Sequence, residues 1–370
     1  MGKVTVTGEL IAEAGSRTVV IDADVHNAVP SIDALLPYLS SYWQEEIHNT
    51  AFGGAGVQPY PLSPEWAREG AVIGASGVPG GDPAELVAQA FDGAGADYVI
   101  LNCAYAVDSI HNPDASAALA SAVNDWQVTE WLERDRRLRA SIVVPVHDPE
   151  AAAAEIRRMA GHPGFVQVAL PARSRELYGQ RRYLPMLSAA ASEGLAVSIQ
   201  YGGFSGNAPT SVGWPTYHVE EDVGMASIVQ SQLLSLVSEG TWERIPDLRV
   251  VVVDGGFTWL PSFLWRLDKD WKGIRREVPW VRRAPSEYVH EHVRFTMSPV
   301  DAPTDQPEVV ADLLGQMWGD ELLLYGSDFP RWRYEAHERA LLDVLAPEGR
   351  QKVMGTNAAE WYGVERFGGK

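Results

Sequence analysis

The stretch Thr18-Val19-Val20-Ile21-Asp22-Ala23-Asp24-Val25-His26 breaks a β-branched apolar run with alternating acids and an imidazole. Thr18 to Asp22 reads as a first strand. Residues two apart in a strand project the same way, so Asp22, Asp24 and His26 share one side. Asp24 and His26 leave the strand end together. A carboxylate and an imidazole so placed can hold a divalent cation, and they are costly to bury unpaired.

The same pattern recurs along the chain. Short apolar strands are expected at 98–101, 140–144, 165–170, 195–199, 249–253, 293–296 and 322–325. Each is followed by a helical stretch, beginning with Ile32 to His48, which Ser31 would cap. Near-continuous apolar runs mark strands buried on both faces. Eight βα units over 370 residues predict one (β/α)₈ TIM barrel spanning 1–370. A doubly wound sheet is disfavoured because no glycine-rich phosphate turn follows the first strand. Residues 51–81, rich in Gly and Pro, read as a lid or insertion loop, or as a plain surface excursion.

Composition narrows the function classes. A formal charge of −19 argues against nucleic-acid binding through a basic surface. No apolar run is long enough to span a bilayer, and the first 17 residues lack a signal-peptide pattern. The lone cysteine, Cys103, excludes an intrachain disulfide and a thiol-rich metal site. A cytoplasmic protein acting on a small molecule is expected.

Active sites of such barrels lie at the C-terminal strand ends. Strand five ends at Gln200-Tyr201, strand six at Asp254 before Gly255-Gly256, and strand eight at Asp328 within Gly326-Ser327-Asp328-Phe329-Pro330. Asp328 can bind metal and move protons, or be a turn aspartate. Asp254 can be catalytic or a helix-start carboxylate. Gln200 reads as a hydrogen-bonding residue of the mouth rather than a metal ligand. His111 and His218 can serve as acid, base or substrate contact, or be packed loop histidines. Phe204, Trp214, Tyr217, Trp259 and Trp332 would form an aromatic wall for a planar ligand, or pack under loops, and Tyr201 would be a further substrate contact. Arg331 would meet a substrate carboxylate, or make a surface salt bridge.

These segments, with Pro246-Asp247-Leu248-Arg249-Val250-Val251, Arg266-Leu267-Asp268-Lys269 and Asn357-Ala358, resemble the amidohydrolase-related family. This is the branch of the amidohydrolase superfamily that includes aminocarboxymuconate semialdehyde decarboxylase and resorcylate decarboxylase. The resemblance implies a (β/α)₈ barrel and one divalent metal, zinc or manganese. The family's first-strand ligand pair falls on Asp24 and His26, and its strand-eight aspartate on Asp328. Its strand-five histidine falls on Gln200 and its strand-six His or Glu on Asp254, both departures. Oxygen donors at those positions suit manganese or magnesium better than zinc.

The implied reaction is decarboxylation of a small aromatic or conjugated carboxylate, with Asp328 protonating the carbon, or hydrolysis with Asp328 taking a proton. Two rivals stand beside it. One is a metal-independent acid–base cluster of Asp24, His26, Asp254 and Asp328 for cyclisation, hydration or isomerisation. The other is a catalytically inactive ligand-binding barrel. The family often forms homodimers; Trp265, Trp271 and Trp280 would bury the interface or pack helices.

Overall fold

Eight parallel strands form one sheet whose spatial order follows the sequence: β1 (Ile21–Val25), β2 (Tyr98–Leu101), β3 (Leu138–Val143), β4 (Phe165–Pro171), β5 (Ala196–Gln200), β6 (Val250–Val253), β7 (Val293–Thr296) and β8 (Leu323–Leu324). The computed structural model describes residues 19–55, 76–93, 95–103, 105–202, 207–208, 210, 212–330 and 335–368. The ring closes between the first and last strands. Ala23 N–H donates to Tyr325 O at 2.9 Å and His26 N–H to Phe329 O at 2.7 Å, while Val25 bridges Phe329 in parallel. The expected (β/α)₈ barrel is present.

The first strand sits three residues later than expected. Its register pairs Ile21 with Tyr98 and Val25 with Leu101, so Asp22 and Asp24 lie inside the strand. Closure against Phe329 extends the pairing beyond the β-branched run that marked the strand in the sequence.

Helices α1 (Ser41–His48), α2 (Pro113–Gln127), α3 (Pro149–Met159), α4 (Leu184–Ser192), α5 (His218–Ser238), α6 (Leu260–Ile274), α7 (Pro307–Gln316) and α8 (Glu335–Val344) follow the successive strands. Several start on local signals. The Asn112 side chain accepts from Asp114 N–H at 3.0 Å and Ala115 N–H at 3.2 Å, with Pro113 at the first helical position. Asp148 caps α3 in the same manner. The expected continuous helix from Ile32 to His48 is broken instead into two 3₁₀ turns and α1. Pro37 supplies no N–H, and Leu39 is extended (φ −99°, ψ 151°).

The opposite end of the barrel is plugged. Trp361, Tyr362 and Phe367 cluster with Ile21, Ile100, Ala196, Val251 and Leu324 of the strands. Arg139 Nε donates to Arg366 O at 2.6 Å, and Arg366 to Phe165 O at 2.7 Å, tying the C-terminal segment to the starts of β3 and β4. The free mouth is therefore the C-terminal one. Among the described residues no helix is long and apolar enough to cross a membrane. Of the expected lid, 56–75 lie outside the described residues; Gly53, Gly54 and Ala55 line a cleft of about 270 Å³ with Asn27–Ile32 and Tyr105.

Candidate active site

β1 carries two acids into the barrel, and each is held by a different neighbour. Asp22 Oδ1 accepts the backbone N–H of Asp24 at 3.1 Å and of Ser327 at 3.0 Å, pinning β1 to the chain beyond β8. Asp24 Oδ2 accepts from Thr296 Oγ1 at 3.2 Å. Thr296 Oγ1 in turn accepts the N–H of Asp254 at 3.0 Å, linking the ends of β1, β6 and β7.

The other oxygen of Asp24 has no such support. Asp24 Oδ1 is buried, accepts no hydrogen bond and lies 3.0 Å from His26 Nε2. Asp328 Oδ1 lies 3.3 Å from the same nitrogen. Candidate ligand atoms of Asp24, His26 and Asp328 fall within 4.8 Å of one another.

The histidine tautomer follows from its far side. His26 Nδ1 is 3.2 Å from the carbonyl oxygen of Asn102, which can only accept, so Nδ1 carries the proton. In the neutral ring Nε2 then turns a lone pair toward two carboxylates. That arrangement repels itself unless a cation stands between them or Nε2 is protonated. An orphaned buried carboxylate oxygen and an imidazole fixed through its second nitrogen are what a divalent metal site requires. The three residues fit such an ion.

Backbone strain gathers at the same place. Asp254 (φ 53°) and Asp328 (φ 54°) both adopt the left-handed conformation, which costs a non-glycine residue about 1–2 kcal/mol. Gly326 is required for packing: a Cβ there would come within 2.7 Å of the Asp24 Cβ.

Burial pushes the Asp22 carboxyl up to about 7, the neighbouring charge of Asp24 adding to it against hydrogen bonds from Ser327 and Asp24. Burial likewise pushes Glu338 of α8 up to about 8, with the charges of Asp328, Asp22 and Asp24 adding.

The remaining expected residues divide. Gln200 is buried and donates its amide nitrogen to Asn102 Oδ1 at 3.3 Å and Ser198 Oγ at 2.9 Å. Tyr201 OH donates to Asp222 Oδ1 at 2.8 Å, and His218 Nε2 lies 3.2 Å from Asp222 Oδ2. Those two residues thus share one acid on α5. His111 contacts Arg175. Trp259 donates to Gly255 O at 3.2 Å and packs edge-on against Phe263 and Phe295. Trp214 is 57% exposed. Phe204, Arg331 and Trp332 lie outside the described residues.

Three residues around the cluster escaped the sequence reading. Asn102 and Thr296 occupy strand ends, the signal that singled out Asp254 and Asp328, but as neutral residues they drew no notice. Glu338 lies within a helix and carries no local signal.

Comparison with known proteins agrees with this architecture. A gamma-resorcylate decarboxylase of Rhodococcus jostii is 26% identical over 284 residues, covering 70% of this chain and 81% of that one. The crystal structure of 2,6-dihydroxybenzoate decarboxylase from Rhizobium superposes with a TM-score of 0.68 at 19% identity, over 94% of this chain and 100% of that one. The structure of 5-carboxyvanillate decarboxylase from Novosphingobium aromaticivorans, complexed with manganese and 4-hydroxy-3-methoxy-5-nitrobenzoic acid, gives 0.67 at 20% identity, over 93% and 96%. Residues 21–364, from the first residue of β1 into the C-terminal plug, match the amidohydrolase family. With the parallel barrel and the acids and imidazole at its mouth, that match establishes that the chain belongs to the amidohydrolase family.

Proposed function

We propose that this protein is a metal-assisted decarboxylase of a small aromatic carboxylate. The observation that carries the reading is the convergence of Asp24 Oδ1, His26 Nε2 and Asp328 Oδ1, with the Asp24 oxygen buried and without a donor. The names of its relatives, decarboxylases of hydroxylated benzoates, support the choice of reaction.

Asp24, His26 and Asp328 would hold one divalent ion, manganese or zinc, whose positive charge attracts the substrate carboxylate and an adjacent oxygen. The chain does the rest. Asp24 is kept in place by Thr296, and His26 by the Asn102 carbonyl. Asp328 delivers a proton to the ring carbon that bears the carboxylate. The bond to the carboxyl carbon then breaks, its electron pair returns to the ring, and carbon dioxide leaves. Solvent reprotonates Asp328. Asp254, His218 and His111 serve as further proton-handling or substrate contacts. Gln200, Tyr201, Trp214 and Trp259 line the approach, and Phe204, Arg331 and Trp332 are substrate-binding residues on the sequence reading alone.

A second reading is acid–base catalysis without metal by Asp24, His26, Asp254 and Asp328, supported by the approach of the Asp24 and Asp328 carboxylates to His26 Nε2 at 3.0 and 3.3 Å. Purified protein loaded with manganese is assayed for carbon dioxide release from 2,6-dihydroxybenzoate, 5-carboxyvanillate and related hydroxybenzoates. Release that chelation abolishes supports the first reading, and turnover that survives chelation selects the second. No release from any of them rejects decarboxylation of this class.

The proposal extends to a cytoplasmic homodimer. The single buried Cys103 suits a reducing compartment. Trp265 is 60% exposed and available to an interface. Trp271 and Trp280 instead donate within the chain, to Val281 O and Ser238 O.

A further inference from the structure

Asn102 stands at the centre of a buried polar network, and the network's logic fixes the direction of every amide in it. Its Nδ2 donates to Ala23 O at 3.1 Å, an acceptor only, so the other side-chain atom is Oδ1. Oδ1 accepts from Ser141 Oγ at 2.8 Å, Gln167 Nε2 at 2.8 Å and Gln200 Nε2 at 3.3 Å. The atom that Gln200 turns to Asn102 must therefore be its nitrogen. Ser198 gives the same answer independently. Its hydroxyl donates to Val168 O at 3.2 Å, leaving its oxygen to accept from Gln200 Nε2 at 2.9 Å.

The strand register shows which way this turns the amide. Gln200 is the last residue of β5, and Ser198 lies two residues deeper on the same face. Gln200 Nε2 thus reaches down the barrel to Ser198, and the oxygen on the other arm of the amide is turned to the mouth.

We infer that Asn102 is the positioning residue of this site: its side chain locks the Gln200 oxygen toward the space flanked by Asp24, His26 and Asp328, while its carbonyl sets the His26 tautomer. One residue thereby orients donor groups from β1 and β5. The centre so built presents one imidazole nitrogen and otherwise oxygen, a donor set that favours manganese or magnesium over zinc. This rests on the metal reading of the site but not on the reaction.

The test measures metal binding without substrate, on the full chain stripped of metal and titrated with manganese, following free Mn²⁺ by electron paramagnetic resonance. Gln200→Leu is expected to weaken binding about 10-fold, the lower end of what support around a ligand contributes. Asn102→Ala should weaken it by a similar factor, and the double variant by no more than about twofold beyond Gln200→Leu, because both remove one interaction. Ser198→Ala, a mild change should Asn102→Ala fold poorly, is expected to weaken binding less, and to have no effect in the Gln200→Leu background. In Gln200→His, pulsed spectra should show two imidazole nitrogen couplings in place of one, and preference for zinc over manganese should rise about 10-fold or more.

Multiplicative losses in the double variants would mean that Asn102 and Ser198 act only on the fold. Wild-type manganese affinity in Gln200→Leu would overturn the inference while leaving the Asp24–His26–Asp328 centre standing. No manganese binding by the wild type would remove the metal reading and this inference together.

Discussion

Replacing Glu338 with Gln keeps the shape of a buried side chain and removes its ability to ionise. In the folded chain Glu338 holds its proton up to about pH 8, because burial and the nearby acids Asp328, Asp22 and Asp24 penalise the charge. Unfolded, it releases the proton at its ordinary value of 4.5. Between those values the folded state binds more protons, so rising pH favours unfolding. With about 1.4 kcal/mol per pH unit, the penalty at pH 7.5 is about 4 kcal/mol and at pH 5 about 1 kcal/mol. Its side chain is 5% exposed, so solvent does little to relieve it. Glu338→Gln should therefore gain about 3 kcal/mol on the wild type between pH 5 and pH 7.5. Urea denaturation of chelated protein at the two pH values measures this. Curves for variant and wild type that shift in parallel would refute the assignment of Glu338 as a neutral buried acid. Manganese should shrink the difference, since a cation among Asp24, His26 and Asp328 favours the ionised form.

Asp328→Asn should lower decarboxylation at least about 100-fold, the scale of losing a positioned proton donor; full turnover would remove Asp328 from the mechanism. Chelation of wild-type protein should abolish carbon dioxide release, and manganese should restore it, as followed in a coupled assay. Gly326→Ala brings a methyl group within 2.7 Å of the Asp24 Cβ, and should cost about 1–3 kcal/mol of stability and weaken manganese binding. Unchanged melting and affinity would show that the contact relaxes freely.

The sequence by itself determined the barrel. Parallel strands covered on both faces read as near-continuous apolar runs, so β2 is legible to the residue as Tyr98–Leu101, and β7 as Val293–Thr296 even with Arg294 within it. Acids that interrupt such runs are visible against that background, which is why Asp24, His26, Asp254 and Asp328 stood out. Asparagine and threonine at the same kind of position, Asn102 and Thr296, are not conspicuous, because neutral polar residues end strands for many reasons. Glu338 was hidden altogether: a glutamate within a helix is ordinarily solvated, and only the packing of α8 buries this one.

What the tertiary structure alone decided is distance and direction. Asp24 and Asp328 stand 304 positions apart in the sequence, and they meet at His26 only because the chain beyond β8 closes on β1 through Tyr325 and Phe329. The family resemblance places Gln200 where an imidazole is expected. Which end of that amide faces the mouth depends on two acceptors, Ala23 O and Val168 O, that reach it through Asn102 and Ser198. Hydrogen bonds between residues on five strands set that direction, and no local pattern of residues encodes it.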